Sequence, residues 1–148
     1  MSPLSSPQPS YDDNNIFAKI LRGEIPCAKI AEDADTLSFM DAFPQSRGHC
    51  LVIPRAKARN LLDCPPEVAA TLIKATQRLA KAVHKAIKPD GLRVMQFNGA
   101  PSGQSVFHIH FHIMPIYEGV PLRGHAAQQN MADMTELKAL ADLIRAAL

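Results

Sequence analysis

Three stretches of the chain repeat apolar residues every three or four positions, which is the spacing of an amphipathic helix. The first is short and can be capped by Asn14 or Asn15. The second is about six turns long, and the third begins with Asp133 and Glu136 as a capping pair. The predicted helices therefore cover about 15–21, 66–88 and 135–147.

Shorter runs of apolar residues, several of them alternating with polar residues, predict β-strands. These runs cover 28–32, 36–41, 50–53, 92–98 and about 105–114. Most of them are joined by short turns, and short connections favour antiparallel pairing. The pattern predicts an α+β domain with about five antiparallel strands, a short N-terminal helix, one long helix and an extra C-terminal helix.

Composition narrows the class of protein. The chain has 148 residues and a formal net charge of +2, which is too weak a positive charge to predict a nucleic-acid surface. No run approaches the roughly 18 apolar residues of a membrane span, and the N-terminus lacks the features of a secretory signal. The three cysteines have neither a disulfide nor a zinc spacing, so we expect a cytoplasmic protein.

The last predicted strand carries three alternating histidines, His108, His110 and His112. On a strand they would share one face, roughly 7 Å apart, while the residues between them would point into the core. Imidazoles serve as nucleophiles, proton carriers and metal ligands, and a set of histidines bonded to backbone carbonyls is a purely structural alternative. The spacing leaves catalysis, metal binding and structure open, although no CxxC or HExxH motif accompanies it.

The loop before these histidines favours phosphorus chemistry. It contains Gly99 and Gly103 among small polar residues, and glycine lets backbone N–H groups turn toward an anion. Asn98, Gln104 and Ser105 can add neutral donors. A histidine that attacks phosphorus forms a P–N bond, which water can then open.

The segment from His108 to Met114 resembles the signature of the histidine-triad (HIT) family, in which three histidines alternate with apolar residues. The similarity continues through 15–20, 23–26, 39–41, 48–54 and 103–107, and it is greatest to the bacterial nucleoside phosphoramidase branch. It implies a HIT domain over 14–118, preceded by a disordered extension over 1–13 and followed by a C-terminal tail with a terminal helix over 119–148.

The resemblance also implies a role for each matching residue. His110 would be the nucleophile that attacks the α-phosphorus of a nucleotide, with His108 and His112 orienting it and contacting phosphate, and His49 holding the hydrogen-bond network. Asp41 would bind both ribose hydroxyls, and Asn98 and Ser105 would contact the phosphate side. The neighbouring loop residues and the apolar slot for a purine base complete the substrate site: Gly103, Gln104, Val106, Ile16, Phe17, Ile20 and Phe39.

By this resemblance the protein hydrolyses purine nucleoside 5′-phosphoramidates or adenylated compounds and releases AMP or GMP. Dinucleoside polyphosphate hydrolysis and nucleotide-dependent regulation with little turnover are the alternatives. Relatives are usually homodimers, so we expect a homodimer, and we expect no nucleic-acid or membrane partner and no cofactor. Some relatives hold zinc with a Cys-x-x-Cys in the first helix; Asn15 and Ala18 stand at those places, so we expect no zinc there.

Overall fold

The computed structural model describes residues 9–124 and 131–148, so residues 1–8 of the predicted extension lie outside the described part. Three α-helices and five β-strands follow one another along these two described stretches. In order they are α1 Ile16–Leu21, β1 Lys29–Glu32, β2 Thr36–Met40, β3 Cys50–Pro54, α2 Pro66–Ile87, β4 Gly91–Met95, β5 Phe111–Ile116 and α3 Met134–Arg145. A single 3₁₀ turn, Ala100–Ser102, interrupts the loop between β4 and β5.

The five strands form one antiparallel sheet in the order β1-β2-β3-β5-β4. The predicted α+β class with a five-stranded antiparallel sheet is therefore confirmed. The order places β5 in the interior of the sheet, between β3 and β4. It leaves β1 and β4 as the two edge strands, each with one side unpaired in the sheet.

The two faces of the sheet carry different apolar clusters, because successive side chains of a strand point to opposite sides. On one face, α2 and α3 cover the larger cluster, which includes Val52, Leu72 and Ile113. On the other face, α1 covers a smaller cluster built around Phe17, Phe39 and Leu51. His112 lies beside Leu51 in the register of β3 and β5, so its side chain is on the α1 face.

The helix boundaries follow from local chemistry. Proline is tolerated at the start of a helix, where its missing N–H costs nothing, and α2 begins at Pro66. It ends where Lys88 adopts a left-handed conformation with φ of 53°. The carboxylate of Asp133 accepts a hydrogen bond from the backbone N–H of Thr135, which confirms it as the cap of α3.

The C-terminal helix is attached to the sheet by more than apolar packing. Leu137, Ala141 and Ile144 are buried in the larger cluster. Arg145 donates from Nε to the carbonyl of Ile30 at 2.6 Å and from Nη2 to the carbonyl of Lys29 at 2.5 Å. The terminal helix therefore belongs to the folded domain and contacts the edge strand β1. Within the described residues, no helix is both long and apolar enough to span a membrane.

Candidate active site

Only one of the three alternating histidines lies in a strand. His112 is in β5 and pairs with Leu51 and Met95, whereas His108 and His110 precede the first strand residue, Phe111. The predicted strand over 105–114 therefore begins six residues too early. The apolar residues between the histidines still lie toward α2 and α3, since Ile109 and Ile113 are fully buried in that cluster.

The rings of His110 and His112 are neighbours, with centroids 4.9 Å apart. Phe17 of α1 meets the His110 ring edge to face at 4.9 Å, so the short N-terminal helix fixes one side of this imidazole. His110 is only 7% exposed. Its ring therefore has a single orientation set by packing, as a nucleophile requires.

A backbone carbonyl determines which nitrogen of His110 carries the proton. Its Nδ1 lies 2.7 Å from the carbonyl oxygen of His108. A carbonyl oxygen only accepts, so Nδ1 must be the N–H donor and Nε2 must hold the lone pair of the neutral ring. His110 thus presents an unprotonated Nε2, the atom that would form a bond to phosphorus.

His108 has both ring nitrogens engaged by the protein. Nε2 lies 2.8 Å from the carbonyl of Pro54 and must donate to it. Nδ1 then accepts from the hydroxyl of Tyr11 at 2.5 Å. The ring of His108 is buried and bonded to the protein at both nitrogens. The phosphate contact that the resemblance implies for His108 stays a prediction.

His49 connects Asp41 to the triad. Its Nδ1 accepts from the backbone N–H of Gln45 at 3.1 Å, so its Nε2 carries a proton. That nitrogen donates to Nδ1 of His112 at 3.0 Å and lies 3.4 Å from a carboxylate oxygen of Asp41. Nδ1 of His112 is therefore an acceptor, and the proton of His112 is on Nε2.

Burial favours the neutral form of His110, His49 and His108. Desolvation lowers the pKa of His110 and of His49, although the carboxylate of Asp41 opposes both changes. The pKa of His108 is lowered to about 4, again mainly by burial. A neutral His110 at pH 7 retains the lone pair that nucleophilic attack needs.

Hydrogen bonds of the side-chain amides of Gln104 and Asn98 hold the glycine-containing loop in place. Gln104 is buried: its amide donates to the carbonyls of Arg59 and Val106, and its oxygen accepts from the N–H of Gly99. The side chain of Asn98 accepts from the N–H of Leu61 and exchanges hydrogen bonds with Gln96. Both residues shape the loop, whereas Ser105 remains exposed.

A cavity of about 280 Å³ opens beside His112 on the α1 face of the sheet. Ligand pockets are typically about 300–1,000 Å³, so its size suits a phosphate with part of a nucleotide. It is lined by Asp41, Phe43, Gln45, His49, Arg93, Met95, Phe97, Gly103, Ser105, His112, Met114 and Leu122. A groove of about 450 Å³ lies on the opposite face, against α2, and includes none of the histidines.

The residues predicted to form the slot for a base are brought together only in part. Phe17 and Phe39 are buried and meet edge to face at 5.4 Å, and Ile20 and Val106 pack against the same cluster. Ile16 is exposed. None of these residues lines the cavity beside His112. Phe17 and Phe39 form a wall of which Phe17 contacts His110, and the slot for a base stays a prediction.

Comparison with known proteins identifies the family to which this arrangement belongs. The HIT domain matches residues 22–119. The chain belongs to the HIT family. It is 45% identical over 100 residues to adenosine 5′-monophosphoramidase hnt1 of Schizosaccharomyces pombe, covering 68% of this chain and 72% of that protein.

Other HIT proteins extend the comparison. Adenylylsulfatase HINT3 of Arabidopsis thaliana is 40% identical over 100 residues, covering 68% of this chain and 51% of that protein. The crystal structure of a Hit-like protein involved in cell-cycle regulation from Bartonella henselae, with an unknown ligand, is 50% identical with a TM-score of 0.86. That likeness covers 94% of this chain and the whole of the other.

Among the described residues of this HIT protein, Asp41, His49 and His112 have ligand atoms close enough to hold a metal ion, all within 4.8 Å of one another. In this structure His49 and His112 are hydrogen-bonded to each other. Asn15, at one of the places of the first-helix cysteines, uses its side-chain oxygen to cap α1 through the N–H of Ala18.

Sequence reasoning missed one contact of the triad. The sequence places Tyr11 in a predicted disordered extension, yet its ring meets that of His108 edge to face with centroids 5.6 Å apart. Nothing in the local sequence indicates this contact, because the two residues are 97 positions apart.

Proposed function

We propose that the protein is a nucleotide hydrolase that cleaves purine nucleoside 5′-phosphoramidates or adenylated compounds through a covalent intermediate on His110. The observation that carries the proposal is the hydrogen bond from Nδ1 of His110 to the carbonyl of His108. This bond leaves Nε2 unprotonated, with a lone pair that can attack phosphorus. The names of the relatives hnt1 and HINT3, a phosphoramidase and an adenylylsulfatase, support this class of substrate.

In the proposed reaction, Nε2 of His110 attacks the α-phosphorus, and a P–N bond to histidine forms as the bond to the leaving amine breaks. The amine takes up a proton, for which the hydroxyl of Ser105, which lines the cavity, is a candidate relay. Nε2–H of His112 can donate to a phosphate oxygen. Water then opens the nucleotidyl-histidine and releases the nucleoside monophosphate, so one difficult displacement is divided into two.

Asp41 suits the ribose. A carboxylate can accept a hydrogen bond from each hydroxyl of a cis-diol, and charge-assisted bonds of this kind are stronger than neutral ones. One oxygen of Asp41 accepts from the backbone N–H of Phe43 at 2.8 Å, which fixes the side chain at the cavity wall. The purine base would lie against the wall formed by Phe17 and Phe39.

Turnover of a small set of substrates tests the proposal. We expect release of AMP from adenosine 5′-phosphoramidate at a kcat/KM at least tenfold above that for diadenosine tri- and tetraphosphate. Adenylyl sulfate and lysyl-adenylate belong in the same set because they differ only in the leaving group. A higher kcat/KM for the dinucleotides would favour polyphosphate hydrolysis instead, and tight AMP binding without turnover of any compound would favour a regulator.

We also propose that the protein is a homodimer joined through the edge strand β4 and the adjacent face of α2. Val94 on β4 is 47% exposed and Ile73 on α2 is 46% exposed, and both line the same shallow cleft. Exposed apolar side chains beside an unpaired strand edge are typical of an association surface.

Sedimentation velocity tests the dimer. Val94→Asp should shift the protein from dimer to monomer, because it would place two carboxylates at a shared apolar surface. Val120→Asp changes another exposed valine outside this surface and should leave the dimer intact. A wild-type protein that sediments as a monomer at micromolar concentration would contradict the proposal.

A further inference from the structure

The segment before α1 is fastened over the triad by several polar contacts. The carboxylate of Asp13 lies 2.7 Å from Nζ of Lys57, and its backbone carbonyl accepts from Arg22 at 2.8 Å. The amide of Asn15 donates to the carbonyl of Asp12 at 2.7 Å. These contacts hold the chain where Tyr11, which is half-buried, reaches His108.

The roles of donor and acceptor in this contact are determined. Nε2 of His108 must donate to the carbonyl of Pro54, so Nδ1 holds the lone pair of the neutral ring. The phenol of Tyr11 is therefore the donor and Nδ1 the acceptor, at 2.5 Å. Burial raises the pKa of Tyr11, so the phenol keeps its proton at neutral pH. His108 is thus fixed in one tautomer and one orientation.

This fixation matters because the catalytic segment is not held by strand pairing. His108 and His110 both precede β5, and the contact that holds the backbone between them is the hydrogen bond from the N–H of Ile109 to the carbonyl of Ala58 at 2.9 Å. The carbonyl of His108 is the group that orients His110. Anchoring the His108 ring at both nitrogens therefore also anchors the carbonyl that aims the nucleophile.

We propose that Tyr11 is a positioning residue of the active site, which acts through His108 to hold the attacking imidazole of His110 in its reactive tautomer and direction. The inference rests on the proposed role of His110 as nucleophile. The segment before α1 lies outside the HIT domain match, which begins at residue 22. The inference assigns this segment a role in the active site.

The test is Tyr11→Phe, which keeps the ring and its packing and removes only the hydroxyl. We expect kcat for adenosine 5′-phosphoramidate to fall by about three- to tenfold, as the loss of one neutral hydrogen bond predicts, with KM changed by less than about twofold. In two-dimensional ¹H–¹⁵N spectra of the imidazoles, the ¹⁵N chemical shift of Nδ1 of His108 should move toward the value of an unprotonated nitrogen that accepts no hydrogen bond.

Tyr117→Phe is the matched control. The hydroxyl of Tyr117 donates to the carbonyl of Arg47 at 2.7 Å, so this variant also loses one phenol hydrogen bond, but away from the triad. Since Tyr117 contacts none of the three histidines through this bond, the variant should change kcat by less than about twofold and leave the nitrogen shifts of His108 and His110 unchanged. A Tyr11→Phe protein with wild-type kcat and unchanged His108 shifts would overturn the inference, as would a higher KM at constant kcat.

The spectra separate this inference from the proposed function. If the wild-type protein turns over none of the substrates, the proposed function fails, yet the nitrogen shifts of His108 and His110 in Tyr11→Phe still decide whether Tyr11 fixes the tautomers. If Tyr11→Phe lowers Tm by more than Tyr117→Phe does and leaves the shifts of the folded protein unchanged, Tyr11 has a structural role only and the inference is wrong.

Discussion

Replacing His110 with alanine should lower kcat for adenosine 5′-phosphoramidate by at least about 10³-fold, the scale expected when a covalent nucleophile is removed. The neighbouring groups cannot take over: Nδ1 of His112 accepts from His49, and both nitrogens of His108 are bonded within the protein. Steady-state release of AMP, with a single-turnover trap for protein-bound AMP, measures the effect. The wild type should accumulate the adduct and the variant should not.

His84→Ala is the matched control for loss of an imidazole. His84 is exposed on α2, which packs on the opposite face of the sheet, so its removal should leave kcat within about twofold. AMP binding by the His110 variant should remain close to that of the wild type, which excludes loss of the fold as the cause. A His110→Ala protein that retains a tenth of the wild-type kcat would refute the covalent mechanism.

The second large effect is on substrate binding. Asp41→Asn should raise KM for adenosine 5′-phosphoramidate by about 10- to 100-fold, since a hydrogen bond to a charged group contributes about 1.5–3 kcal/mol. Asparagine keeps an oxygen that can accept from the N–H of Phe43, so the turn should be preserved. The replacement loses the negative charge and one acceptor, and it presents an amide to a ribose hydroxyl.

A substrate without the ribose hydroxyls separates this role from others. For 2′,3′-dideoxyadenosine 5′-phosphoramidate, the wild type and Asp41→Asn should have KM values within about twofold of each other, because no cis-diol remains to be bound. If the variant instead loses the same factor with both substrates, Asp41 acts through His49, whose Nε2 lies 3.4 Å away, and not through the ribose.

The helices and the sheet class were predictable because they depend on local signals. Pro66 at the first position of α2 and Asp133 at the cap of α3 act on the backbone within a turn. The strand start was not predictable in the same way. Alternation of apolar residues continues from Ile109 to Ile113, but pairing with β3 begins only at Phe111, and pairing depends on a strand about 60 residues away in sequence.

The candidate site divides along the same line. The resemblance pointed to His110 and His112, whose rings meet in the fold. It also pointed to His49, which is hydrogen-bonded to His112, and to Asp41, which lies 3.4 Å from His49. It could not show that the side-chain amides of Asn98 and Gln104 form hydrogen bonds with backbone groups of neighbouring loops. Nor could it show that Ile16 is exposed to solvent while Phe17 packs on His110. Hydrogen-bond partners and burial depend on which residues are close in the folded structure, and the spacing of residues along the sequence does not determine this.

The attachment of Arg145 to the carbonyls of Lys29 and Ile30 has a consequence for assembly. An unpaired edge strand can pair with the edge strand of another copy of the protein, and a sheet with two such edges can extend in both directions. Here Arg145 donates to two carbonyl groups of the edge strand β1, whereas Val94 is exposed on the other edge strand, β4. If copies join through the edge of β4, as proposed, the contacts of Arg145 at the edge of β1 would hinder growth of the sheet from its other side, which would favour a closed pair over fibres.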